Sequence, residues 1–184
     1  MTYIELHAHS AYSFLDGASQ PEELAARAAE LGYEALALTD HDGVYGSLEF
    51  AHAAKHFGVR PITGAEVTLG GVGSAEPPRS GGAGFAGAGA GKNESHVTLL
   101  VESARGYANL CRLLTAAHAH TRDTTNREPT PPRLDQKLLE ELNEGLVCLS
   151  GCARDGLAVR DPNAAYLLKR ANELRRGVRH LLLL

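Results

Sequence analysis

The sequence predicts an α/β protein built on a parallel sheet. Short apolar runs alternate with segments whose apolar residues recur at helical spacing, and this alternation is typical of strand–helix–strand units. The run Ala35–Leu38 is apolar throughout, as expected for a parallel strand that is covered on both faces. Working residues in such folds lie where strands end and loops begin, so the residues after each run are candidate site residues.

Local sequence signals predict the first strand and the first helix. An apolar run closes with the pair His7-x-His9, and an extended backbone is expected up to that point. Ser19 and Glu22 have the spacing of a capping box, and Gly32 follows the helical pattern, so they predict a helix between them. The same reasoning predicts further helices at Ser47–Phe57, Ala104–Ala119, Asp135–Leu142 and Pro162–Arg176, and further strands at Arg60–Leu69, His96–Val101, Leu146–Ser150 and Val178–Leu184.

The segment at about 70–95 differs from the rest of the chain. It is rich in Gly, Ala, Ser and Pro and has no apolar period. It is therefore predicted to be a flexible insertion, and an idle linker is favoured over a lid because long surface insertions destabilise a fold only slightly.

Composition limits the classes of protein that the chain can represent. A chain of 184 residues with 43% hydrophobic residues is about one globular domain. No apolar run of about 18 residues and no signal peptide are found, and only three cysteines occur, so a cytoplasmic, reducing location without a membrane is expected. A net charge of −4 argues against a broad basic surface for duplex DNA, but it is compatible with a nucleotide or strand end held by metals.

The pair His7 and His9 is the first sign of a metal site. Alternate residues of a strand lie on the same side, so both imidazoles are expected to point to one place. Neutral imidazoles are good ligands for divalent metals. A structural accident is the competing interpretation of a single such pair.

Two further segments carry candidate ligands. His41 follows the strand Ala35–Leu38, and Asp40 is predicted to orient it by accepting its other ring N–H, although an ordinary Asp-rich turn is the alternative. Glu66 lies inside an apolar strand, where a carboxylate needs a cation or hydrogen-bond donors. Cys152 follows a strand and could ligate zinc as a thiolate, or be an ordinary loop cysteine.

Five segments, taken together, resemble the motifs of the PHP family (polymerase and histidinol phosphatase domains). The resemblance is closest to the PHP domain at the N-terminus of bacterial C-family DNA polymerases, and within these to the error-prone subgroup. The segments are Glu5–Ala18, Ala37–Gly43, Pro61–Glu66, His96–Leu100 with Gly106–Leu110, and Leu142–Cys152.

The resemblance implies a fold, a ligand set and an activity. The implied fold is a distorted, TIM-like (β/α)7 barrel. We expect residues 1–184 to form a partial PHP domain, incomplete at the C-terminus, because the family's later Asp-x-His motif does not occur. Up to three zinc or manganese ions are implied, although fewer are expected here. Their ligands would be His7, His9, Asp16, His41, Glu66, His96 and Cys152, and no other catalytic residue is implied.

Three functions remain open at this point. The first is a PHP fragment of an error-prone polymerase, with a 3′→5′ exonuclease-type phosphoesterase site that can be inactive and structural; its partners are DNA and the remaining polymerase domains. The second is a free-standing phosphoesterase acting on a small phosphate ester. The third is a remnant that binds metal weakly or not at all. The motif Ser13–Gly17 favours the first over the second.

Overall fold

The protein has a mixed α/β fold with one five-stranded sheet, in the order β1-β2-β3-β4-β5. The computed structural model describes residues 3–70, 95–122, 130–151 and 156–157. The strands are β1 (Glu5–Ala8), β2 (Ala35–Leu38), β3 (Arg60–Leu69), β4 (Ser95–Val101) and β5 (Leu146–Leu149). The α-helices are α1 (Pro21–Glu30), α2 (Ser47–His56), α3 (Ala104–Ala117) and α4 (Gln136–Glu141), and a 3-10 turn covers Ala119–Arg122.

The first half of the sheet is parallel, as predicted. Strand β1 pairs with β2 and β2 pairs with β3, all in the same direction. Helices α1 and α2 connect these strands and pack their small and aromatic side chains on the sheet, with Phe50 at the centre. The predicted capping box is shifted by one residue: Gln20 is the N-cap of α1, and its backbone N–H donates to Glu23 at 2.8 Å.

The second half of the sheet corrects the prediction of a parallel sheet. Strand β4 runs antiparallel to β3, and β5 runs antiparallel to β4. A parallel neighbour needs a crossover that carries the chain back along the sheet, usually a helix. The sequence between β3 and β4 is the Gly/Ala-rich segment without a helical pattern, so β4 starts beside the end of β3, where Leu69 pairs with Ser95.

The main core lies between the antiparallel strands and α3. Ala65, Val67 and Leu69 alternate along β3 and face this core, together with Leu110 and Leu113 of α3. Because side chains alternate across a strand, Glu66 lies on the opposite face of the sheet.

The described strands form an open sheet, and no closed barrel occurs among the residues that the structure describes. The insertion at about 70–95 lies almost wholly outside them, and so do the predicted helix Pro162–Arg176 and strand Val178–Leu184. None of the helices within the described ranges is long and apolar enough to span a membrane.

Candidate metal centre

The ends of four strands meet at one edge of the sheet. The backbone ladders continue beyond the strands there: the N–H of Thr39 donates to the carbonyl of Ala8 at 2.8 Å, and that of Asp42 donates to the carbonyl of Glu66 at 2.7 Å. These bonds hold the residues that follow β1 and β2 beside the late part of β3. As a result, the candidate ligands on separate strands come within contact distance of one another.

Glu66 lies at the centre of this edge and is 2% exposed. One of its carboxylate oxygens, Oε2, contacts Nε2 of His7. The other, Oε1, lies 2.9 Å from Nδ1 of His96 and 3.1 Å from Nδ1 of His41. Nε2 of His9 lies 3.8 Å from Oε2. Both oxygens of one buried carboxylate therefore face imidazole nitrogens on different strands.

The antiparallel pairing explains how His96 reaches Glu66. In the β3–β4 register, Glu66 is opposite Thr98, and His96 is two residues earlier on the same face of β4. In a parallel sheet the start of this strand would lie at the far edge. Only the reversed direction of β4 brings its first residues to the edge where β1 and β2 end.

A second carboxylate, Asp16, comes from the loop after β1. Its Oδ2 lies 2.8 Å from Nε2 of His41 and 3.4 Å from Nδ1 of His9. The loop turns back tightly at Gly17, where an added Cβ would lie 1.9 Å from the carbonyl oxygen of Ser10. Any larger residue would collide with this carbonyl, so the loop that carries Asp16 could not keep this turn.

The donor atoms fit divalent cations. They form three groups in which all ligand atoms lie within 4.8 Å of one another. In one contact Nε2 of His9 and Nε2 of His7 are 3.0 Å apart, and two imidazole nitrogens at this distance share at most one proton. Imidazole and carboxylate donors together suit zinc and manganese. The groups are His7–His9–Glu66, His9–Asp16–His41 and His41–Glu66–His96.

The pKa values of these groups follow from their mutual contacts. Burial opposes the charged form of Glu66, but the hydrogen bonds from His41, His7 and His96 outweigh it and hold its pKa far below the ordinary value. Burial also opposes protonation of His41, yet hydrogen bonds to Glu66 and Asp16 raise its pKa to about 9. Burial, with the charge of His41 nearby, lowers the pKa of His9.

The raised pKa of His41 predicts that metal affinity depends on pH. A proton on His41 must leave before the ring can bind a cation, and below a pKa of about 9 that proton is present. We expect the apparent affinity for Mn²⁺ to rise about tenfold per pH unit between pH 6.5 and 8, with the release of about one proton. Titration calorimetry in buffers of different ionisation enthalpy measures both quantities. A flat affinity without proton release would contradict the prediction.

Six of the seven candidate ligands named from the sequence come together in space: His7, His9, Asp16, His41, Glu66 and His96. The seventh, Cys152, lies outside the described residues, so it stays a prediction. The role predicted for Asp40 is wrong. Its carboxylate accepts hydrogen bonds from Ser10 and Ser13, while the ring nitrogens of His41 face Glu66 and Asp16.

This arrangement of carboxylates and imidazoles at the strand ends is that of a candidate metal site, and the sequence profile gives the class of protein. The chain belongs to the PHP domain family, whose sequence profile matches residues 5–171.

Among its relatives, the error-prone DNA polymerase of Mycobacterium tuberculosis strain H37Rv is 43% identical over 170 residues, which cover 90% of this chain and 14% of the relative. The DNA polymerase III subunit alpha of Chlamydia pneumoniae is 36% identical over 174 residues, 91% of this chain and 13% of that one. The chain thus spans about one seventh of these relatives. Among solved structures, an amidohydrolase of Chromobacterium violaceum is 31% identical over 63% of this chain and 33% of that one, with a TM-score of 0.44.

Proposed function

We propose that this chain is a PHP domain of an error-prone DNA polymerase and carries a metal-dependent phosphoesterase site of the 3′→5′ exonuclease type. The proposal rests on the environment of Glu66, which has His7 at one carboxylate oxygen and His41 and His96 at the other. A carboxylate with imidazole nitrogens near both of its oxygens would suit a ligand that two cations share. Zinc and manganese are the cations we propose, with Cys152 as a further ligand.

The residues of the chain would each have a limited task in hydrolysis. Divalent cations bound here would supply an activated water and would neutralise the charge that builds on phosphorus. The six histidine and carboxylate side chains would hold these cations. The hydroxyls of Ser10 and Ser13 are buried and both donate to Asp40, so they are not available as nucleophiles. The proposed nucleophile is therefore water rather than either of these serines.

An apolar rim, made of exposed side chains that adjoin candidate ligands along the chain, favours a nucleic-acid strand over a small phosphate ester. Phe14 and Leu15 are 76% and 75% exposed, and they directly precede Asp16 in the same loop. Tyr45, exposed as well, lies in the loop after β2, four residues beyond His41. Exposed aromatic side chains are surfaces on which nucleobases stack, whereas a small ester has nothing to place there.

The proposed activity is tested with two substrates. The purified chain is loaded with Mn²⁺ or Zn²⁺ and given a single-stranded oligonucleotide and a generic phosphomonoester, each with and without chelator. Shortening of the oligonucleotide from its 3′ end that chelator abolishes would support the proposal. Turnover of the monoester alone would favour the free-standing phosphoesterase. Bound metal without any hydrolysis would leave a structural platform for the other polymerase domains.

Removal of the aromatic side chain at the rim should affect the oligonucleotide selectively. We expect Phe14→Ala to weaken binding of a 3′-phosphorothioate oligonucleotide about tenfold, because one base stack contributes roughly 1–3 kcal/mol. Binding of inorganic phosphate should not change. Fluorescence anisotropy measures the first and calorimetry the second, both in Mn²⁺.

Phe57 provides the matched control for this variant. It is also an exposed phenylalanine, but it follows α2 at the opposite edge of the sheet, just before β3 begins. Phe57→Ala should leave oligonucleotide binding unchanged. Equal losses in the two variants, or none in either, would contradict a role for Phe14 in binding bases.

The remaining features inferred from the resemblance belong to the same proposal. The described sheet would supply five strands of the family's distorted seven-unit barrel. Residues 1–184 would belong to a single PHP domain with the insertion at about 70–95. DNA and the other domains of the polymerase would be its partners.

A further inference from the structure

Asp40 is a buried carboxylate that belongs to none of the three candidate metal groups. It follows β2, precedes His41 and is 1% exposed. Its Oδ1 accepts hydrogen bonds from the backbone N–H of Ser10 at 2.7 Å and from the hydroxyl of Ser13 at 2.8 Å. Its Oδ2 accepts the hydroxyl of Ser10 at 2.8 Å. All three donors come from the loop after β1.

The same hydrogen bonds connect the loop to the metal donors. The hydroxyl of Ser13 donates to Asp40 and also accepts the backbone N–H of His41 at 3.1 Å. The carbonyl of Ser13 accepts the N–H of Asp16 at 3.0 Å and that of Gly17 at 2.9 Å. Ser13 therefore joins the backbone of one candidate ligand, His41, to the turn that carries another, Asp16.

We propose that Asp40, through Ser10 and Ser13, positions Asp16 within the metal group formed by His9, Asp16 and His41. This proposal rests on the proposed function only in requiring that this group binds a cation. Asp16 lies in a loop, eight residues beyond the end of β1, whereas His41 forms an isolated β-bridge with Glu66. The position of Asp16 depends on how the loop is held, and Asp40, two residues after β2, accepts three of the hydrogen bonds that hold it.

The chemistry of the three donors explains why a carboxylate stands at position 40. One amide N–H and two hydroxyls all point to it, and an ionised carboxylate accepts on both oxygens without donating. An asparagine there would turn an NH₂ group toward at least one of these donors. Asp40→Asn keeps the volume of the side chain but breaks the match, so it isolates the hydrogen bonding from packing.

Metal binding in Ser13→Ala provides the test. The full chain is loaded with Mn²⁺, and the metal content per chain and the affinities are measured by elemental analysis and calorimetry. We expect Ser13→Ala to weaken one bound Mn²⁺ at least tenfold and to change the others less than threefold. Because the ligands are still present, raising Mn²⁺ should restore full occupancy. Asp40→Asn should have the same effect more strongly; if it does not fold, Ser13→Ala still decides the question.

A double-mutant cycle with Asp16→Ala separates positioning from general stability. If Ser13 acts through Asp16, the double variant should bind metal no more weakly than Asp16→Ala alone. Ser103→Ala is the matched control, because it removes the hydroxyl that caps α3 at Gly106, away from the site. It should lower the melting temperature and leave metal binding unchanged.

Three results would overturn the positioning role: unchanged metal binding in Ser13→Ala, additive losses in the double variant, or an equal loss in Ser103→Ala. Because the readout is binding, a chain that binds metal as expected but hydrolyses no oligonucleotide would refute the proposed activity and leave this inference standing. A wild-type chain that binds no metal would refute both.

Discussion

Replacing Glu66 with Gln is expected to lower metal-dependent hydrolysis of a single-stranded oligonucleotide by about 10²–10³-fold, the range typical for loss of one preorganised charge-stabilising group. Glu66 belongs to two of the three candidate metal groups, and both of its oxygens face imidazoles. The amide keeps the shape but removes the negative charge, and one of its two ends becomes a donor. We expect metal content to fall with activity, since a neutral amide binds divalent cations weakly.

The control for this substitution is Glu49→Gln, which makes the same chemical change on the exposed face of α2. It should retain full metal content and activity. Hydrolysis is measured from initial rates at saturating Mn²⁺, and metal by elemental analysis after gel filtration. If Glu66→Gln keeps more than a tenth of the activity and all of the metal, Glu66 is not the shared ligand and the proposed site is wrong.

The sequence predicted the parallel half of this fold because that half obeys local rules. Strands β2 and β3 lie where the apolar runs are, and Arg60–Leu69 has the predicted bounds. A glutamate inside an apolar strand signals a partner, because an unpaired buried carboxylate would be strongly destabilising. In the structure these partners are histidines at the ends of neighbouring strands.

The direction of β4 could not be read in the same way. An apolar run has the same composition in either direction, and strand direction is decided by the connection before it. The Gly/Ala-rich segment has no crossover helix in its sequence pattern, and this was the available signal that β4 reverses. If β4 is taken as antiparallel for this reason, the sequence pattern alone predicts that His96, at the start of its run, lies next to Glu66.

The network around Asp40 was missed for a different reason. The pair Asp40-His41 suggested that a carboxylate orients the adjacent ring, but neighbours in an extended segment point to opposite sides. Asp40 therefore faces away from the ring of His41 and toward the β1 loop. The available signal was two serines in a loop that also carries a candidate ligand, and single-sequence patterns do not reveal which buried acceptor they share.

Removing bound metal is expected to lower the melting temperature by roughly 10 °C at pH 8. A ligand present at a thousand times its Kd stabilises the native state by about 4 kcal/mol, and each kcal/mol corresponds to about 2–4 °C for a chain of this size. The candidate groups join β1, β3 and β4 with the segments after β1 and β2, so binding energy at this edge opposes separation of the strands. Thermal melts with Mn²⁺ and with chelator measure the difference.

His9→Ala should remove most of this difference, because His9 is a donor in two of the three groups. We expect the variant to hold less metal and to melt at nearly the same temperature with Mn²⁺ as with chelator. His52→Ala changes an exposed histidine on α2 and is the matched control, with the full wild-type difference expected. Equal melting of the wild type with and without chelator would refute the coupling of metal to folding.

The difference in melting temperature with Mn²⁺ and with chelator should shrink as the pH is lowered from 8 to 6. This pH dependence distinguishes bound metal from a general effect of the chelator. In the metal-free protein, hydrogen bonds to Glu66 and Asp16 outweigh burial and raise the pKa of His41 to about 9. The stabilisation from this protonated ring is complete below its ordinary pKa of about 6.5 and is lost as the pH rises through 9. Lowering the pH therefore stabilises the metal-free state and weakens metal binding at once, so the two melting temperatures should converge.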